Sequence, residues 1–140
     1  MMFRTISGVF LAIFAGAAFA QANLGELSQQ GGKKMSKEEL QQLHEGGVSF
    51  KGVTASGAQF SQKHAPDGSV SGSAQNFRGS TGIVGKWNIS DTGQLCLDLR
   101  FVASGTTSDT CRFVWKIGDK YYAAENDEPA TVVQVRQFEK

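Results

Sequence analysis

The sequence predicts a mainly β protein: an antiparallel meander of about eight strands forming a small barrel or a sandwich, with one short N-terminal helix. Three observations carry that reading. Beyond Gly47, apolar residues recur at every second position in short runs. Turn-forming residues separate the runs, as in Pro66-Asp67-Gly68, Asp91-Thr92-Gly93 and Gly118-Asp119. The helical signal, by contrast, is confined to residues 36–46.

Residues 1–20 have the make-up of a cleavable secretory signal. Arg4 supplies a basic start, Ile6 to Phe19 carries no charge, and Ala18-Phe19-Ala20 offers a small-x-small cleavage site. The apolar run is short and rich in Gly and Ala, a poor match to a membrane span. The mature product is therefore expected to be exported, periplasmic or secreted, and to begin at Gln21. The first cysteine is Cys96, so no lipid anchor follows the signal. Residues 21–34 are polar and Gly/Gln-rich without periodicity, which reads as a flexible leader. Residues 35–140 are enough for a single β-rich domain.

Ser36 stands three residues before Glu39, the spacing of a capping box, in which each side chain satisfies an orphan backbone N–H of the other. Met35 and Leu40 occupy the positions of a hydrophobic staple, and Gly46-Gly47 supplies a left-handed stop. Leu40 and Leu43 share one face, so the helix is expected to lie on a larger body as a lid or plug.

The strands follow in order. Val48 to Val53 places Val48, Phe50 and Gly52 on one side, and Gly57 to His64 is anchored by Phe60. Pro66 then presets one corner of a tight turn and Gly68 permits the positive φ that ends it. Ser69 to Arg78 is polar and weakly patterned, prone to be an edge. Ile83, Gly85, Trp87 and Ile89 share a face, and so do Leu95, Leu97, Leu99 and Phe101. Ala103 to Thr110 reads as a small-polar loop, followed by Phe113, Trp115 and Ile117 at period two. Lys120 to Ala124 and Thr131 to Phe138 complete the meander.

Cys96 and Cys111 are the only cysteines, an even count in an exported chain, and are expected to form one disulfide. A redox or metal pair is the weaker alternative, since no CxxC spacing exists. A conflict follows from the disulfide. If the two cysteines face each other across a simple hairpin, Leu95 and Leu97 share a face with Arg112 and Lys116. A bulge, burial of the strand on both faces, or pairing across a sheet edge would each relieve it.

Without Arg4, thirteen basic and thirteen acidic side chains remain, in no block of like sign. That balance argues against nucleic acid or an anionic membrane as partner. Catalytic signals are thin. The two histidines, His44 and His64, belong to no nucleophile elbow or zinc-protease motif. His44, Glu45 and His64 form a weak candidate metal set, and Glu125-Asn126-Asp127-Glu128 lacks calcium-loop spacing. No cofactor, metal or catalytic residue is assigned. Trp87, Phe101, Phe113 and Trp115 sit at strand spacing as core residues. Tyr121 and Tyr122 are adjacent and must point to opposite faces of a strand, so one of them is expected at the surface or a cavity mouth.

The segments Gly85-Lys86-Trp87, Asp91 to Cys96, Cys111 and Gly118 to Tyr122, with Ser36 to Leu40 and Ala65 to Gly68, resemble small exported proteobacterial proteins of a domain-of-unknown-function family. That resemblance implies a periplasmic β-domain and no assigned activity. A looser similarity is to the periplasmic metalloprotease inhibitors and to lipocalins, whose Gly-x-Trp stands near the mature N-terminus rather than mid-chain as at Trp87. The expectation is thus a monomeric, non-catalytic binding module of the cell envelope, with a protein or surface polymer as partner. The candidate contact residues are Tyr121, Tyr122, Glu125 and Asp127, with loop Ala103 to Thr110. The alternative is a carrier of a small apolar ligand in a lipocalin-like barrel.

Overall fold

A computed structural model describes residues 22–140, so the expected secretory signal lies outside the described residues. The element order is α1 (Leu24–Gln29), β1 (Lys33–Lys34), α2 (Lys37–His44), β2 (Val48–Val53), β3 (Gln59–His64), β4 (Ser69–Asn76), β5 (Gly79–Ile89), β6 (Leu95–Phe101), β7 (Thr107–Ile117), β8 (Lys120–Ala124) and β9 (Gln134–Glu139). From β2 to β9 each strand pairs antiparallel with the next, and β9 pairs back onto β2. The meander therefore closes into an eight-stranded barrel rather than a sandwich. Beyond the end of β6, the short β1 takes over the same edge of β7, with Lys34 opposite Trp115.

Closure gives the period-two pattern its meaning. Phe50, Val70, Ile83, the three leucines of β6 and Val114 point inward and pack with Met35 and Leu40 in one core. Each such side chain contributes about 1.5–3 kcal/mol of transfer free energy on full burial. The α2 helix lies across one end. Its capping box is formed in both directions: Ser36 Oγ accepts the Glu39 N–H at 3.1 Å, and Glu39 Oε1 accepts the Ser36 N–H at 3.2 Å. Leu40 is fully buried beneath it. Lys37 pairs with Asp91 at 3.1 Å, and Lys140 Nζ donates to the Gln42 and Glu45 carbonyls at the helix C-terminus. Among the described residues, no helix covers the opposite end of the barrel, between Val53, Gln59, Phe101 and Gln134.

Several expectations need correction. The 21–34 segment is not an unstructured leader throughout: it contains helix α1, whose Asn23 Oδ1 accepts the Glu26 N–H at 2.9 Å. Leu24 and Leu27 of α1 bury against Ala124 and Val133 on the outside of the barrel, beside Trp115 and Tyr122. The two leucines are one turn apart but too few to register as a period. The apolar patch that receives them is assembled only when β7 and β8 pair.

Strand β4 is interior to the sheet, between β3 and β5, and not an edge. Its weak pattern reflects small inward residues, Gly72 and Ala74, where the wall curves. The expected loop Ala103 to Thr110 is shorter, because Thr107 to Thr110 pair with β6. The tight turn at Gly68 is present, with φ +90° and Asp67 Oδ1 accepting the Ser69 N–H at 2.9 Å.

The hairpin conflict resolves without a bulge. Cys96 and Cys111 are direct cross-strand partners in a disulfide, and Leu95 stands opposite Arg112. The inward face of β7 is therefore polar where it meets β6, at Ser108, Thr110 and Arg112, and apolar further on at Val114. Its outer face carries Trp115 and Ile117 under α1, so this far half of β7 is covered on both sides.

The cystine spans a sequence separation of 15 residues. Replacing both cysteines by serine is expected to cost about 3 kcal/mol and to lower the melting temperature by roughly 10 °C. Differential scanning calorimetry of the paired variant checks this, and an unchanged Tm would contradict it.

Candidate functional site

The two ends of the barrel carry different chemistry. At the end covered by α2, the strand ends bring His64 beneath the helix, where His44 meets it. His44 Nδ1 lies 2.9 Å from the Leu40 carbonyl, His44 Nε2 lies 3.1 Å from His64 Nδ1, and His64 Nε2 lies 3.0 Å from the Gln62 side chain. The carbonyl can only accept, so His44 carries its proton on Nδ1 and presents a bare Nε2. His64 Nδ1–H then donates to it. With both rings neutral, the Gln62 atom facing His64 must be its amide nitrogen.

Burial holds both rings in the neutral form. His44 and His64 are 2 % and 0 % exposed, packed among Trp87, Phe50 and Phe138. Burial pushes the His64 imidazole down to about 3, with the neighbouring His44 acting in the same direction. His44 is lowered mainly by burial, partly opposed by its bond to the Leu40 carbonyl. The rings bond to each other directly, which leaves no space for a metal between them. The set His44, Glu45 and His64 is not assembled, and among the described residues no cluster of three or more potential metal ligands occurs.

At the uncovered end the site is cationic. Arg136 shares a face of β9 with Gln134 and Phe138 and so points inward, where it is only 4 % exposed. Gly52, its cross-strand neighbour on β2, makes the room: a Cβ there would lie 2.8 Å from Arg136 Cδ and 2.9 Å from Nη1. Arg136 Nη1 donates to the Val53 carbonyl at 3.1 Å and to the Val135 carbonyl at 2.8 Å, and Nη2 donates to Gln134 Oε1. Its guanidinium lies 5.0 Å from the centre of the Phe60 ring. Among the described residues, no carboxylate pairs with it.

Arg112 is the second cation of this end, placed inward by the register that the disulfide pins. Its nearest carboxylate is Glu125, at 3.9 Å. Burial, and then the charge of Arg112, pull the Arg136 guanidinium down to about 10. Gly52, Phe60, Arg112, Glu125, Gln134 and Arg136 line one open depression.

The sequence-derived contact residues divide between environments. Tyr121 points inward and meets Phe138 edge-on at 5.0 Å, with Lys116 Nζ 5.3 Å from its ring. Tyr122 packs outside, under α1. Glu125 sits beside Arg112, and Asp127 pairs with Lys34 at 2.9 Å on the surface. Arg136 and Gly52 were not singled out by sequence reasoning. The available signal was parity: Arg136 shares the face of Phe138, whereas Val135, the apolar residue beside it, is 61 % exposed.

The model of the family described as protein of unknown function DUF995 matches residues 10–134. The chain belongs to the DUF995 family. No curated protein and no solved structure gives a significant match. Among the described residues of this DUF995 protein, no helix is long and apolar enough to cross a membrane.

The buried imidazoles make stability pH-dependent with a definite sign. Their folded-state values lie below the ordinary 6.5, so the unfolded chain takes up protons first as the solution is acidified. Stability is full above about pH 6.5 and falls from there towards about 3, by at most about 1.4 kcal/mol per pH unit for each histidine. Urea midpoints at pH 7.5 and 5.0 are expected to differ markedly in the native sequence and much less in the His44→Gln/His64→Gln pair. Equal sensitivity in both proteins would contradict the neutral buried pair.

Proposed function

We propose that this DUF995 protein is an exported, non-catalytic binding module of the cell envelope, and that it works through the uncovered end of its barrel. One observation carries the reading: Arg136 is buried in the barrel wall with no carboxylate partner among the described residues, held in place by backbone carbonyls and by the space at Gly52. A buried, unneutralised guanidinium is expensive to maintain, and a fold that needed only stability would gain from an apolar residue there. The cost is accounted for if the charge meets a ligand.

Other features agree with this reading. The chain's two histidines are bonded to each other at the end closed by α2, away from the uncovered mouth, which supports a role without acid–base catalysis. The disulfide suits an oxidising compartment. Ile83, Leu97, Leu99, Phe50 and Leu40 fill the middle of the barrel, so binding at the mouth is favoured over carriage of an apolar ligand inside.

Native mass spectrometry of protein purified from periplasmic extract tests the proposal. A ligand or partner mass is expected in the native spectrum and should vanish on denaturation. If neither spectrum nor affinity capture from the same extract yields an associated species, the binding-module reading fails.

A further inference from the structure

The geometry points to a carboxylate, carried on a compact apolar body, as the group recognised at the uncovered mouth, bound between Arg136 and Arg112. This rests on the binding-module reading and names its ligand chemistry.

A guanidinium has five N–H donors in a planar fork. In Arg136, both Nη1 hydrogens go to the Val53 and Val135 carbonyls and one Nη2 hydrogen goes to Gln134. Among the described residues neither the Nε–H nor the second Nη2–H meets a protein acceptor, so both are donors that a carboxylate can take in charge-assisted bonds. The fork is held on its far side by the carbonyls of Val53, which stands in the β2–β3 ladder, and Val135, which stands in the β8–β9 ladder, so the donors are set in advance of any ligand.

Charge selects a monoanion. The charged lining of the depression is Lys51, Arg112, Lys120 and Arg136 against Asp119, Glu125 and Glu139, a net charge of +1. One carboxylate neutralises it, whereas a phosphate dianion would leave an excess negative charge in a partly buried site. The walls select the body that carries the acid. Phe60 lies against the Arg136 guanidinium and is tilted against Phe50, with ring centres 5.4 Å apart, giving a half-buried aromatic surface beside the donors. Because the core is filled below this level, the body must be small or must extend outward into solvent.

The same chemistry could come from a free acid or from the C-terminus of a protein partner, and the test separates them. Full-length mature protein is titrated calorimetrically with benzoate and with a pentapeptide ending in phenylalanine. Benzamide and the C-amidated peptide serve as uncharged controls, and inorganic phosphate as the competing anion. At least one acid is expected to bind tenfold or more tightly than its amide, and the acid that does so identifies the source. Arg136→Gln is expected to abolish the preference. Arg112→Gln, on a side chain 28 % exposed, is expected to weaken it about tenfold and keeps the test informative if the buried variant fails to fold.

Equal binding of acid and amide, no binding of either acid, or displacement of benzoate by phosphate at equal concentration would each overturn the assignment. An adduct in the native mass experiment together with no acid preference here would retain the binding module and discard the carboxylate. Absence of both would discard the two together.

Discussion

Pairing of β9 with β2 is the contact on which the rest of the molecule depends. A meander without it would be an open sheet with two unpaired edges and no distinction between inside and outside. Once Phe50 stands opposite Phe138 and Gly52 opposite Arg136, every strand acquires an inward face, and alternation becomes burial. The ladder joins strands far apart in the chain, so its loop-closure entropy is met by contacts that form only when the whole barrel does.

Closure also creates two ends that have to be dealt with separately. One is covered by α2, which inserts Leu40 and places His44 over His64. The polar atoms trapped there satisfy one another in a line from Leu40 to Gln62, and this is what makes burial of two imidazoles tolerable. The other end is left to an arginine whose hydrogen bonds go to carbonyls rather than to a carboxylate. The β6–β7 disulfide contributes to that end indirectly, because it pins the register that turns Arg112 inward.

Membership in DUF995 agrees with the resemblance read from the Gly-x-Trp and cysteine segments, and it supplies a family without an assigned activity. The functional reading accordingly rests on the mouth. Its ingredients are ordinary: a glycine that leaves space, an arginine that fills it, and a second arginine held by register.

Much of the fold was legible in the sequence, because it depends on short-range physics. The capping box at Ser36 and Glu39, the turn at Gly68 and the alternation of Leu95, Leu97 and Leu99 are local choices between helix, turn and strand. Adjacent tyrosines had to part, and Tyr121 and Tyr122 do. The site was much less legible. His44 and His64 were visible as the chain's histidines, yet their mutual bond exists only because α2 lies over the end of β3. Arg136 carried no signal of its own, since Val133 and Val135 on the other parity are as apolar as Phe138. Which face of a closing strand points inward is decided by its partner, and that partner is distant in the chain. The sequence by itself determined the capped helix α2 and the run of strands after it, in their order. Only the tertiary structure decided closure, the helix on the outer wall and the buried cation at the mouth, because each depends on surfaces that do not exist until distant strands pair.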